Sequence, residues 1–145
     1  MKKKVIISIQ GKQSYPWSEP DIIELVTEGT LEDRDGQGLV LSYQESEVTG
    51  LEGTQTTIQV EPGRVTLLRQ GALNSQMIFE EGRQHLSLYD TPYGALEVGV
   101  RTRRIHSSLN GQGGDVTIYY ALEIGHGEAG RNMFHISVHL PAQEG

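Results

Sequence analysis

The stretch "TQTTIQVEPGRVTLLRQ" (54–70) decides the fold class, because it contains two candidate β-strands and the turn that joins them. Polar and apolar residues alternate through 54–61 and again through 64–70, which is typical of half-buried strands. Between them, Pro62 and Gly63 form a compact turn in which glycine supplies a positive φ. This segment therefore predicts an antiparallel β-hairpin.

Alternation followed by a turn recurs along the whole chain, whereas no window of about a dozen residues shows a helical stripe. We predict ten strands, with these bounds: 3–11, 22–33, 37–48, 54–61, 64–70, 74–80, 84–91, 94–109, 114–125 and 131–140. The eighth is long enough to bend or break. No linker rich in Pro, Gly or Ser separates the strands, so residues 1–145 are predicted to form a single domain.

The connections between the strands fall into two sets that alternate along the chain. Compact glycine turns are "DRDGQG" (33–38), "EPGR" (61–64), "EEGR" (80–83) and "NGQGG" (110–114). The other set, mostly longer, is "GKQSYPWSEPD" (11–21), "TGLEGT" (49–54), "GALN" (71–74), "DTPYG" (90–94) and "GHGEAGR" (125–131). In an up-and-down meander the two sets lie at opposite ends, and closure of so many antiparallel strands removes the exposed edges. We predict an all-β, antiparallel up-and-down barrel of about 8–10 strands, with tight turns below and longer loops around a mouth.

Composition restricts the kind of partner. The chain has 145 residues, a net charge of −7 and no cysteine. The negative charge disfavours nucleic acid and anionic membranes, and no run approaches the roughly 20 apolar residues of a membrane span. Lys2–Lys4 are followed by too short an apolar run for a signal peptide. The sequence predicts a cytoplasmic protein without a cofactor or a nucleic-acid or membrane partner, and it leaves a homodimer open.

Five segments resemble the YwiB-like family of small bacterial proteins, a domain of unknown function. They are "VIISIQGKQ", "DIIELVTEGTLED", "LSYQESEVTGLEGTQTTIQV", "VTLLRQGALNSQMIFEEG" and "YDTPYGALEVGVRTRRI", in matching order from Val5 to about Ile124. The resemblance implies a calycin-like, or lipocalin-like, β-barrel and no established activity. Lipocalins carry ligands, but their Gly-x-Trp signature is missing from the first strand, since Trp17 follows Pro16 instead. Ligand carriage is therefore an analogy.

The candidate site begins in "LVLSYQESEV" (39–48), where Glu45 and Glu47 continue an otherwise apolar strand face. Arg69 holds the same relative position on the apolar face of the fifth strand. The two strands are separated by one strand, roughly 10 Å, which long inward side chains can span. Because an unpaired buried charge costs several kcal/mol, we predict that Glu45 and Arg69 point inward and form a pair.

Further polar and aromatic residues are predicted at the mouth. The candidate ligand-binding residues are Glu45, Arg69, Ser75, Tyr89, Trp17 and Tyr93. A few polar groups converging in an apolar barrel are typical of a site for a small, partly apolar or anionic ligand, with any anionic group near Arg69. Trp17, the sole tryptophan, is predicted to lie against the barrel at this end, either as a cap or in contact with the ligand.

Two alternatives remain open. In the first, side chains fill the barrel, the Glu45–Arg69 pair closes the mouth, and the protein acts through its outer surface as an interaction or assembly module. In the second, Glu45 and Glu47, about 7 Å apart along one strand, serve as the carboxylates of an enzyme. No residue is framed by a catalytic motif, so no catalytic residue is assigned.

Two weaker patterns lie elsewhere in the chain. His135 and His139 share a strand face but are about 13 Å apart, too far for one metal ion, so no metal site is predicted. The basic run "RTRR" (101–104), with Lys12 and Arg83, suggests either a phosphate patch or a solvated face that blunts an edge strand.

Overall fold

Each predicted strand is present in a computed structural model, which describes residues 2–14, 21–34, 38–45, 52–71, 74–91, 94–124 and 127–141. The strands are β1 (Lys2–Ser14), β2 (Asp21–Arg34), β3 (Gly38–Gln44), β4 (Thr54–Glu61), β5 (Arg64–Gly71), β6 (Ser75–Glu80), β7 (Gln84–Thr91), β8 (Gly94–Ser107), β9 (Gly114–Ile124) and β10 (Gly127–His139). Each strand pairs antiparallel with the next, and β10 closes against β1. The predicted up-and-down β-barrel is therefore confirmed, with ten strands. Within the described ranges, no helix is long and apolar enough to cross a membrane.

The β4–β5 hairpin forms as its sequence predicts. Glu61 pairs with Arg64, so Pro62 and Gly63 make the whole connection, and Gly63 has a φ of 72°. Because successive antiparallel strands alternate in direction, this turn and the other compact turns lie at one end of the barrel. The opposite end, where β3 and β5 finish, is the mouth.

Two strands depart from their predicted course. β3 (Gly38–Gln44) is shorter than the predicted 37–48. The N–H of Glu45 still donates to the Thr54 carbonyl at 2.8 Å, in register with the Gln44–Gln55 pair, and residues 46–48 lie outside the described part of the chain. β8 does not break, but its register with β9 shifts between Thr102 and Arg104. Such a bulge bends a strand without ending its pairing.

A packed apolar core fills the lower part of the barrel. On β1, Val5 and Ile7 are fully buried and Ile9 is 8% exposed, in the alternation expected of an inner wall. The largest fully buried side chains on other strands include Phe79, Leu31, Leu41, Ile58, Ile118 and Ile136. Each contributes about 1.5–3 kcal/mol to the free energy of unfolding through removal of apolar surface from water.

The basic run 101–104 lies where β8 extends beyond β7. β8 is an internal strand of the closed barrel and pairs with β9 along this run, but its ladder with β7 ends at Arg101. Thr102 forms backbone hydrogen bonds with Gly82 and Arg83 of the β6–β7 turn. Arg101, Arg103 and Arg104 are exposed, which agrees with the predicted solvated face.

Candidate ligand-binding site

An ion pair between a buried carboxylate and a partly exposed guanidinium, 22% exposed as a side chain, lies at the mouth end of the barrel. The Glu45 side chain is 1% exposed, and its Oε1 lies 3.9 Å from Nε of Arg69. The hydroxyl of Thr56 donates a hydrogen bond of 2.6 Å to the same oxygen. The predicted inward pairing of Glu45 with Arg69 is confirmed, although 3.9 Å is too long for a hydrogen bond between the two groups.

This ion pair is incompletely satisfied. Oε2 of Glu45 and Nε of Arg69 are both buried, and neither has a hydrogen-bond partner in the described ranges. Buried polar atoms are nearly always hydrogen-bonded, and each unmade bond costs about 1–3 kcal/mol, or more for a charged group. Within the described ranges, the pair therefore has one buried acceptor and one buried donor that make no hydrogen bond.

Tyr43 lies on the inner face of β3, two residues before Glu45, and is 5% exposed. Burial and the nearby negative charge of Glu45 raise the pKa of its phenol far above the usual range, while the positive charge of Arg69 lowers it by less. Tyr43 is therefore a neutral hydroxyl beside the charged pair.

The remaining candidate residues differ in how far the structure describes them. Ser75 is 8% exposed and pairs with Arg69 across β5 and β6, so it joins the site. The backbone of Tyr89 pairs with Ser75, but its side chain lies outside the described part of the chain. Trp17, Tyr93 and Glu47 lie wholly outside it. Their proposed roles, and the two-carboxylate alternative, remain predictions.

Gly11 marks open space on the inner wall. It continues the inward face of β1 above Ile9, and a Cβ added to it would meet no atom of the described residues within 4 Å. A Cβ added to Gly29, lower on the inner wall, would approach Cδ1 of Ile7 to 2.6 Å. Among the described residues, the inner wall is therefore packed around Gly29 and open at Gly11. The signal in the sequence was a glycine within an alternating strand, which often marks a place where something approaches the backbone.

Two further inward polar residues were missed by sequence reasoning. Thr102 on β8 and Asn132 on β10 are 1% and 7% exposed. Thr102 was missed because the inward face of β8 was ambiguous. That face is set by Val98 and Val100, which are both buried. Asn132 precedes the alternation of "MFHISVH", and its position seven residues before His139 places it on the opposite face from the histidines.

The two histidines have local partners on the outer surface. Nε2 of His135 lies 3.0 Å from Oδ1 of Asp115, and Nε2 of His139 lies 2.9 Å from Oγ of Ser137. Among the residues that the structure describes, no three potential ligands gather to hold a metal ion.

Outer pockets lie beside the basic run. Two adjoining pockets of about 210 and 330 Å³ share Arg103 and Tyr119 among their lining residues. Tyr119 is 42% exposed. Neither arginine of the 103–104 pair forms an ion pair within the described ranges.

Comparison with known proteins agrees with this architecture. The uncharacterized β-barrel protein YwiB of Bacillus subtilis (strain 168) is 29% identical over 122 residues, covering 84% of this chain and 79% of that protein. The crystal structure of the ywiB protein from Bacillus subtilis superposes with a TM-score of 0.85 and 22% sequence identity, covering 97% of this chain and 94% of the other. This structural likeness supports the fold.

The family assignment rests on a match over most of the chain. The sequence model of the domain of unknown function DUF1934 matches residues 7–136, from β1 into β10. This range includes both members of the buried ion pair, and the description of the family names no catalytic activity. The chain therefore belongs to the DUF1934 family of domains of unknown function.

Proposed function

We propose that the barrel binds a small, partly apolar molecule at its mouth, with a polar group of that molecule between Glu45 and Arg69. The observation that carries this proposal is the unfilled pair of buried atoms, Oε2 of Glu45 and Nε of Arg69. A ligand atom that accepts from Nε, and a neighbouring one that donates to Oε2, would satisfy both. The interior below offers apolar contact.

The dimensions of the barrel support this proposal. Barrel diameter grows with strand number, and about eight strands already give an interior just wide enough to be filled by side chains or to hold one small ligand. This barrel has ten strands. The open space at Gly11 is consistent with an interior that side chains fill only in its lower part.

The charge of the ligand that fits depends on whether Arg69 stays paired with Glu45. If Glu45 and Arg69 remain paired, their charges compensate and a neutral polar group suffices. An anionic head group fits if Arg69 turns from Glu45 towards the ligand. Placement of this binding protein in the bacterial cytoplasm belongs to the same proposal and rests on the acidic, cysteine-free composition.

Calorimetric titration with decanoate, decanol and decanamide tests the proposal, because the three probes share a chain and differ in head group. We expect saturable binding of at least one probe. Arg69→Met should weaken it about 10- to 100-fold, since a hydrogen bond to a charged group is worth about 1.5–3 kcal/mol. Methionine keeps much of the apolar stem, but it leaves the buried Glu45 carboxylate without its charge partner, which costs about 3–5 kcal/mol. Circular dichroism must therefore show that the variant is folded before it is titrated.

Arg103→Met is the matched control, because it makes the same replacement on the outer surface. It should bind the probes as the wild type does. Absence of saturable binding for all three probes would contradict the proposal, as would equal losses in both arginine variants.

A second candidate function is an interaction module that binds an acidic protein partner through the outer surface. It is favoured by the exposed Arg103, Arg104 and Tyr119 around two adjoining pockets. The two candidate functions, a small-molecule site at the mouth and an outer interaction surface, predict that different arginines are needed for binding. Replacement of Arg103, and not of Arg69, would weaken binding of such a partner.

A further inference from the structure

Thr102 and Asn132 form a second unsatisfied polar group inside the barrel. Oγ1 of Thr102 and both side-chain polar atoms of Asn132 are buried and have no hydrogen-bond partner within the described ranges. Thr102 pairs with Tyr120, and Tyr120 pairs with Asn132, so the two lie on either side of Tyr120 on the same inner wall. Three buried polar atoms without partners at one place are unusual in a folded protein.

This group lies across the barrel from the ion pair. β10 is the fifth strand from β5 in either direction around the ring, so Asn132 and Arg69 are on opposite walls. Their heights follow from the strand register. The row of paired residues through Val65 reaches Asp33, near the lower end of β2, in one direction. In the other it reaches Gly130, near the mouth end of β10.

The row of paired residues thus rises from the lower end of the barrel at β2 to the mouth end at β10. This rise means that the strands are strongly tilted against the barrel axis, with a stagger of roughly one to two residues per strand. Allowing for this stagger, Tyr120 and Asn132 come to the height of Glu45 and Arg69. The two unsatisfied groups therefore face each other across one level of the interior.

One ring contact and one open position agree with this placement. The ring of Tyr120 packs edge-on against Phe79 of β6, with centroids 4.8 Å apart, so the β9 wall does reach across towards the β5–β6 wall. Gly11, which marks open space, is two residues before the β1 partner of Asn132, Gln13. The unpartnered amide thus lies beside the open part of the inner wall.

The chemistry of both groups favours the same kind of ligand. A carboxamide such as that of Asn132 offers one acceptor and two donors, and the ion pair offers one unused acceptor and one unused donor. Neither group carries net charge, and an uncompensated charge between them would be costly to bury. We infer that the site binds an uncharged molecule with an amide or lactam edge, held between Glu45–Arg69 and Thr102–Asn132. This inference rests on the proposed function and adds a second wall and a ligand class.

Nicotinamide and nicotinate are suitable probes, because they share a ring and differ only in its substituent, which is an amide in the first and a carboxylate in the second. Toluene is the third probe, because it has an apolar ring with neither group. In NMR titrations, we expect the wild type to bind nicotinamide at least tenfold more tightly than nicotinate or toluene, and to shift the side-chain NH₂ signal of Asn132. Thr102→Val should weaken nicotinamide binding about fivefold or more. The same variant should raise the melting temperature by about 2–4 °C, because it removes an unpaired buried hydroxyl.

Thr117→Val, on the neighbouring strand β9 with its side chain outside the barrel wall, is the matched control and should leave nicotinamide affinity unchanged. Gly11→Leu is an independent variant that should fold and exclude the probe by filling the open space.

If Thr102→Val and Asn132→Leu bound nicotinamide as the wild type does, while Arg69→Met lost binding, the second wall would be refuted and the proposed function would stand. A lower melting temperature for Thr102→Val, or no preference for nicotinamide, would also overturn the inference. The decanoate series decides the proposed function separately.

Discussion

At the scale of single residues, the main observation is a buried ion pair whose geometry is poor for stability. Glu45 and Arg69 are 3.9 Å apart, and each keeps an unsatisfied buried atom. Removing two charges from water often costs as much as their attraction returns, so a pair of this kind gives little net stabilisation. Polar groups retained at such a cost are more readily explained by a ligand than by folding.

Tyr43 makes a testable prediction about alkaline stability. An unfolded tyrosine releases its proton near pH 10, whereas burial and Glu45 raise the pKa of folded Tyr43 well above that value. Above about pH 10 the unfolded chain therefore binds fewer protons than the folded one. As the pH rises above this value, the free energy of unfolding of the protein should therefore fall, and Tyr43 should contribute up to about 1.4 kcal/mol per pH unit to this fall.

Urea unfolding between pH 8 and about pH 11 measures this decline. Tyr43→Phe should make it shallower, and Tyr119→Phe is the control because Tyr119 is exposed. Identical slopes for the wild type and Tyr43→Phe would show that Tyr43 does not stay protonated in the folded protein.

At the scale of secondary structure, short connections fix the register that places the site. The two-residue turn between β4 and β5 requires Glu61 to pair with Arg64. In the same register, Thr56 of β4 pairs with Arg69 of β5. Thr56 donates its hydroxyl hydrogen bond to Glu45, so this register places the two residues that contact the Glu45 carboxylate side by side. A slip of one residue would turn every side chain of one strand to the other face.

Gly63 tests the contribution of this turn. It has a φ of 72°, and an added Cβ would meet no atom of the described residues within 4 Å, so Gly63→Ala would add backbone strain without a steric clash among them. We expect a loss of about 1–2 kcal/mol in the free energy of unfolding by chemical denaturation. Gly11→Ala is the control, because Gly11 lies in ordinary strand conformation with equal space around it. It should cost less than Gly63→Ala, and equal losses would mean that strain at the turn is not the cause.

At the scale of the whole molecule, the interior is divided into two parts. Below, fully buried apolar side chains pack against one another. Above, one level carries Glu45, Arg69, Thr102 and Asn132, which are polar residues with unsatisfied atoms, and space at Gly11. Buried polar atoms without partners are a cost to folding, so this division supports the proposed ligand site.

The sequence predicts the parts of this architecture that depend on near neighbours. Alternation and glycine turns located all ten strands, and alternation alone put Glu45 and Arg69 on inward faces. It did not locate Thr102, Asn132 or Gly11 in the site. Their height relative to Glu45 and Arg69 depends on the tilt that accumulates around the whole ring, which has no local pattern in the sequence.

Native mass spectrometry of freshly purified protein tests the central claim most directly, because it shows whether a molecule occupies the barrel. We expect the wild type and Arg103→Met to carry an additional small-molecule mass that is released by collisional activation, and we expect this mass to be lost or strongly reduced in Arg69→Met. The bare mass of the chain in all three proteins, or an additional mass equally present in Arg69→Met, would contradict it.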